Sequence, residues 1–142
     1  MIVYRMHRMG SDVFDTTGAF LYSGRWHFAG TRVVYAAEHA SLAALETLIH
    51  AGRKGVPNKA ITEIELPEDM ELASSEWMEI SLSQAFGSDW VRDGRRAVLR
   101  VPSQAVNGME SNLLINPAHR DFDRIRRGRA REFAFDSRYF PL

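Results

Sequence analysis

Short β-type runs, several closed by proline, recur along this chain, and between them lie two stretches that read as helices of about three turns. The runs are Ile2 to Tyr4, Val33 to Tyr35, Ile61 to Leu66, Ala97 to Val101, Leu113 to Ile115 and Phe133 to Phe135, with Pro67, Pro102 and Pro117 acting as stops. The first helix is expected from Ser41 to Ala51. Ser41 can cap it, Leu42, Leu45, Leu48 and Ile49 fall at helical spacing, and Gly52 ends it. The second is expected from Ser81 to Asp93, with Leu82, Phe86 and Trp90 on its apolar side, Gly87 as an interruption and Gly94 as its end. Strands and helices do not alternate in a regular βαβ series, so the pattern predicts an α+β fold. A chain of 142 residues has room for one domain, taken as residues 1–142.

Composition narrows the function classes. The chain is 45% hydrophobic and 25% charged, enough apolar material for a packed core. Eighteen basic and eighteen acidic residues cancel, so no overall field draws a polyanion, and nucleic acid is not expected as a direct ligand. The cysteine count is zero, which removes disulfides, thiol nucleophiles and thiolate metal sites. The chain has no run of about 18 apolar residues, and its first residues lack a signal peptide's apolar centre, so a cytoplasmic protein without membrane contact is expected. His7, His27, His39, His50 and His119 show no ligand spacing, so no metal is expected. GxSxG, GxxxxGK[ST] and post-strand GxGxxG motifs are absent.

Glu46 is the anomaly. It follows Leu42 and Leu45 and precedes Ile49 in the i, i+3, i+4, i+7 series, on or beside the stripe that should face the core. A carboxylate there must be paired, protonated, at the stripe's solvent margin, or at a cavity where a ligand meets it. Upstream, Gly24, Arg25, Trp26, His27 and Gly30 form a glycine-bracketed segment that is either a hairpin with a surface arginine or a turn bringing a guanidinium to a phosphate or carboxylate. Tyr35 closes a strand, where its hydroxyl needs a partner. Arg120, Arg124, Arg126, Arg127, Arg129 and Arg131 form a charge cluster interrupted by Asp121 and Asp123, read as a solvated face or partner surface.

The order GRW, VVYAAEHASLAALE, AVLRVPS and ESNLLINPAHRDF, followed by the tail from Phe133 to Leu142, resembles the RES domain, the toxin half of RES/Xre toxin–antitoxin pairs. That resemblance covers nearly the whole chain. It implies a fold similar to ADP-ribosyltransferase toxins, with split, mostly antiparallel sheets and flanking helices, and a chemistry that consumes NAD⁺ as substrate with no further cofactor. It also implies an Xre-type DNA-binding antitoxin covering the active site. The family's arginine falls on Arg25, its tyrosine on Tyr35, its glutamate on Glu46 and its serine on Ser103, with Arg5 as a further contact to the dinucleotide. Trp26 stands where relatives have tyrosine and Arg120 where proline is expected, which bears on ligand affinity and antitoxin fit.

The expected activity is cleavage of the nicotinamide–ribose bond by a glycohydrolase or phosphorylase, arresting growth. Breaking that bond builds oxocarbenium character on the ribose while nicotinamide leaves as a neutral pyridine. A fixed negative charge near the sugar and a grip on the diphosphate are what the reaction needs. Glu46 is assigned the charge, Arg25 the diphosphate, Tyr35 the nicotinamide ribose and Ser103 the amide or ribose. Three alternatives stay open: a protein ADP-ribosyltransferase toxin, a ribonuclease using His119 or His27 as base, and a non-catalytic interaction module in which Glu46 is a structural charge. Three Trp, eight Phe and four Tyr offer anchors for a homodimer within the complex.

Overall fold

The computed structural model describes residues 1–52 and 58–140, so Lys54 and the last two residues of the tail, Pro141 and Leu142, lie outside the described residues. Among the described residues eight strands run in chain order as β1 (Ile2–Arg8), β2 (Val34–Ala37), β3 (Lys59–Glu65), β4 (Ala73–Ser74), β5 (Val98–Pro102), β6 (Ser111–Ile115), β7 (Arg126–Arg127) and β8 (Arg131–Phe133). Three α-helices accompany them: α1 (Thr17–Leu21), α2 (Ala40–Ala51) and α3 (Ile80–Asp93). The strands join in the order β4-β5-β6-β2-β1-β3-β7, with β8 also on β3, and only the β4–β5 pair is parallel. The α+β class and the antiparallel bias match expectation.

The expected split into separate sheets takes a subtler form. All strands belong to one sheet, yet β1 and β2 share a single registered pair, Tyr4↔Ala37, whereas β1 and β3 pair along seven positions. The sheet is therefore two well-zipped blocks, β4-β5-β6-β2 and β1-β3-β7/β8, meeting at a narrow seam. Val3, Val34, Ala36, Ile64, Val98, Leu113 and Ile115 form the core on one face, covered by Val13, Phe14, Phe122 and Ile125. Against the other face, α2 packs Leu42 and Ala43 on Ala37, Tyr4 and Met6. Trp90 of α3 joins Trp26, Val33, Leu99, Val101 and Leu114 there.

Helix α2 begins one residue earlier than expected, its N-cap is His39 with no side-chain cap bond, and it ends at Gly52, whose φ of 67° is left-handed. Helix α3 corrects the expected apolar face. Leu82 and Phe86 are exposed, and the buried positions are Ser83, Gly87, Ser88 and Trp90. Gly87 does not break the helix: a Cβ there would sit 1.8 Å from the Trp26 carbonyl oxygen, so glycine is what lets α3 lie against the 24–27 segment. Contact between backbones, rather than a stripe of leucines, docks this helix.

Candidate active site

Glu46 projects from the middle of α2 and is half-buried. Its Oε1 accepts two hydrogen bonds, from Ser103 Oγ at 2.7 Å and from Asn112 Nδ2 at 3.0 Å. Ser103 directly follows β5 and caps the 3₁₀ turn Gln104–Val106, where its Oγ also accepts from the Ala105 amide at 3.2 Å. Asn112 stands at the start of β6, registered with Val101 on one side and Ala37 on the other. The misplaced carboxylate of the sequence pattern is therefore paired, through one oxygen only. Among the described residues no protein donor reaches Oε2.

Arg25 also reaches this 3₁₀ turn, its Nε donating to Gln104 Oε1 at 3.4 Å. Its two terminal nitrogens donate to Ser83 Oγ and to the Met78 carbonyl at the start of α3. Ser83 Oγ donates back to the Arg25 carbonyl at 2.6 Å, and Gln84 Nε2 donates to the Gly24 carbonyl at 2.9 Å. The guanidinium is thus aimed by residues in and just before α3, and among the described residues one N–H on each terminal nitrogen has no acceptor. The Gly24–His27 bridge closes the turn that carries Arg25 and Trp26.

Tyr35 locks that turn from beneath. Its hydroxyl accepts from the Trp26 amide at 3.1 Å and faces His27 Nδ1 at 2.7 Å. His27 Nε2 lies 2.8 Å from the Ala19 carbonyl and 3.0 Å from that of Tyr22, so it is assigned as the N–H, and Nδ1 accepts the Tyr35 proton. Burial pushes the Tyr35 phenol above its ordinary range, which keeps it a neutral donor. Gly24 fits because a Cβ there would lie 2.8 Å from both His27 Cε1 and Tyr35 Oη. Trp26, the departure from the family pattern, is 3% exposed and packs in the core.

Arg5, expected as a further contact to the dinucleotide, is engaged at the β1–β2 seam. It shares one face of β1 with Val3 and His7, opposite the Tyr4 and Met6 side chains that meet α2. Its Nη1 donates to the Tyr35 carbonyl at 2.8 Å, supplying a bond where the β1–β2 ladder is missing. Burial lowers its pKa to about 10 against the opposing pull of Asp15, and its Nε is buried without a partner. Arg5 holds the seam between β1 and β2.

Neither histidine proposed as a base is free in the way that reading needs. His27 is 2% exposed with both ring nitrogens occupied, and His119 Nδ1 accepts from the Asp121 amide at 3.0 Å. The arginine run also disperses: Arg124 pairs with Asp69, Arg127 with Asp12 and Arg131 with Glu63. A hollow of about 380 Å³ bordered by Trp77, Arg100, Pro102 and Ser111 adjoins the site end of β5 and β6. A second, of about 530 Å³, lies at their other end. Arg25 and Glu46 line neither; each bonds a residue at the Ser103–Val106 turn, Arg25 to Gln104 and Glu46 to Ser103.

Asn112, Ser83 and Gln84 complete this arrangement with no place in the sequence reading of the site, which had put His27 in the Arg25 segment without its bond to Tyr35. The only signal for Asn112 was its place in the ESNLLINP segment.

A family model described as RES domain matches residues 2–136. The chain belongs to the RES domain family. Among RES relatives, a protein of Sphingobium sp. (strain YBL2) named "Prs ADP-ribosylating toxin" is 39% identical, over 90% of this chain and 87% of its own length. One from Photorhabdus laumondii subsp. laumondii named "Toxin Res" is 34% identical, over 97% and 96%. Among solved structures, the Mycobacterium tuberculosis MbcT–MbcA toxin–antitoxin complex contains a chain that superposes with a TM-score of 0.74, over 93% of this chain and 83% of that one, at 14% identity. That likeness supports the fold. Among the described residues no helix is long and apolar enough to cross a membrane.

Proposed function

We propose that this RES domain protein is the toxin of a toxin–antitoxin pair and that it acts by cleaving the nicotinamide–ribose bond of NAD⁺. The observation that carries this reading is the asymmetry at Glu46, where Oε1 is held by Ser103 and Asn112 and Oε2 is left without a protein donor. A carboxylate anchored in that way keeps its charge in place while the sugar cation develops and needs no reorganisation to meet it. The open N–H groups of Arg25 grip the diphosphate, a task that suits a guanidinium fork. Tyr35 and His27 act on the substrate through the turn they hold. Ser103, expected to position the amide or ribose, also holds the carboxylate that faces the sugar.

Once nicotinamide leaves, the acceptor decides the product. Water gives ADP-ribose and inorganic phosphate gives its 1″-phosphate; both are degradations of free NAD⁺. A second reading, transfer of ADP-ribose to a protein side chain, is favoured by the name of the 39% identical relative. Both begin with the same bond cleavage at Glu46. An Xre-type antitoxin that covers Arg25 and Glu46 would keep the producing cell intact. The test is mass spectrometry of products from the purified chain with NAD⁺, in buffers with and without phosphate, and with cell extract as acceptor. Nicotinamide release is expected in at least one arm. Its absence from all three overturns the reading.

A further inference from the structure

We propose that Asn112 is a positioning residue that sets the plane of the Glu46 carboxylate, so that Oε2 is the oxygen presented to the ribose; the functional part of this rests on the NAD⁺ reading above. A carboxylate at the end of a glutamate side chain turns easily about its last bond, because that torsion joins tetrahedral and planar carbons and has broad minima. A helix alone fixes where such a group lies, but not which oxygen points where. Here the orientation comes from the sheet. Ser103 follows β5, Asn112 opens β6, and the ladder Val101↔Asn112, Pro102↔Ser111 ties their backbones together. Two donors on neighbouring strands converge on the same atom, Oε1, at 2.7 and 3.0 Å.

The two donors are not equivalent. Ser103 Oγ can rotate its single proton and is itself tied to the Ala105 amide. Asn112 brings a planar amide whose backbone is paired on both sides, with Ala37 and with Val101. The carboxylate neighbour fixes its amide orientation, nitrogen toward Glu46 and Oδ1 away. The more rigid donor is therefore the asparagine, and it sets the plane. The strand is tied once more beside it: Glu38 accepts from the Ser111 amide at 2.5 Å and from Arg100 at 3.2 Å, so a side chain also holds the start of β6.

The test uses two substitutions with opposite chemistry. Asn112→Ala deletes the donor, and Asn112→Asp keeps the shape but sets a second carboxylate against Oε1. The first readout does not depend on activity: a crystal structure of Asn112→Ala should show the Glu46 carboxylate turned or in two orientations, and an unchanged single orientation would overturn the proposal. The second is nicotinamide release from NAD⁺. Loss of kcat by about 10- to 100-fold in Asn112→Ala, with KM within about threefold, is expected for a misdirected reacting group. Asn112→Asp should lose more than Asn112→Ala at a similar melting temperature. A role confined to folding would lower the melting temperature and leave kcat per folded molecule unchanged, which would also overturn the proposal. If the wild type releases no nicotinamide, the NAD⁺ reading fails by itself, and the carboxylate orientation still decides what Asn112 does.

Discussion

At one end of the β5–β6 hairpin, Ser103 and Asn112 converge on a single oxygen of Glu46, and Arg25 is tied by Gln104, Ser83 and Met78 to the same neighbourhood. At the other end, Arg92, Arg95, Arg96, His119 and Arg120 border a hollow of about 530 Å³. There Arg92 pairs with the exposed Asp89 and Arg96 with the exposed Glu71, and among the described residues Arg95 and Arg120 have no ion-pair partner. The second end carries more charge; the first holds its charges in fixed directions. Solvated arginines with exposed partners contribute little to stability and hold no geometry. A carboxylate with one oxygen saturated and the other open has a direction, which chemistry can use.

The largest effect should come from loosening the ordered end. Gly87→Ala in an exposed helix would gain about 1 kcal/mol from helix propensity. Here the added Cβ meets the Trp26 carbonyl oxygen at 1.8 Å, so α3 must move away from the Arg25 turn. A loss of about 1–3 kcal/mol is expected by chemical denaturation, together with loss of nicotinamide release. A stabilised, active variant would show that the close approach of helix and turn does not matter.

A smaller effect is expected at the charged end. The double variant His119→Ala, Arg120→Ala should keep nicotinamide release within about twofold of wild type, because neither residue touches the turn shared by Arg25 and Glu46 and well-separated sites act independently. Loss of that activity would place chemistry at the wrong end, and RNA cleavage abolished by the same double variant would revive the ribonuclease alternative.

The smallest effect sharpens the comparison with a buried group remote from both ends. His7 lies between Ser11 and Thr62, at 3.1 and 2.7 Å from its ring nitrogens. Burial first, and the Arg5 charge second, lower its pKa below the usual 6.5. Between that lowered value and 6.5 the unfolded chain binds more protons than the folded one, so stability falls as pH drops through this window. A melting-temperature profile should show that fall, and His7→Gln should flatten it; an unchanged slope would remove His7 as its cause.

Much of this architecture was legible in the chain. Gly52 marked the end of α2, the proline-stopped runs marked β5 and β6, and Glu46 stood out as a carboxylate among leucines because periodicity makes a misplaced charge visible. The face of α3 was not legible, since apolar spacing favoured Leu82 and Phe86 while docking depended on Ser83 and on Gly87, a residue chosen for lacking a side chain. The seam bond of Arg5 was not legible for a related reason: its partner is a carbonyl left open between strands, and which backbone groups lack partners appears only once strands are paired. Asn112 was missed because one amide in a strand carries no pattern of its own. Its meaning comes from a helix 66 residues away in sequence.

The most direct measurement is nicotinamide release from NAD⁺ by the purified wild-type chain and by Glu46→Gln, which keeps the side chain's length and its Oε1 acceptor while removing the charge. Loss of about 10²–10³-fold in kcat is expected, with the melting temperature close to wild type. Wild-type turnover by Glu46→Gln would contradict the account, because the sugar cation would then be stabilised by something other than this carboxylate.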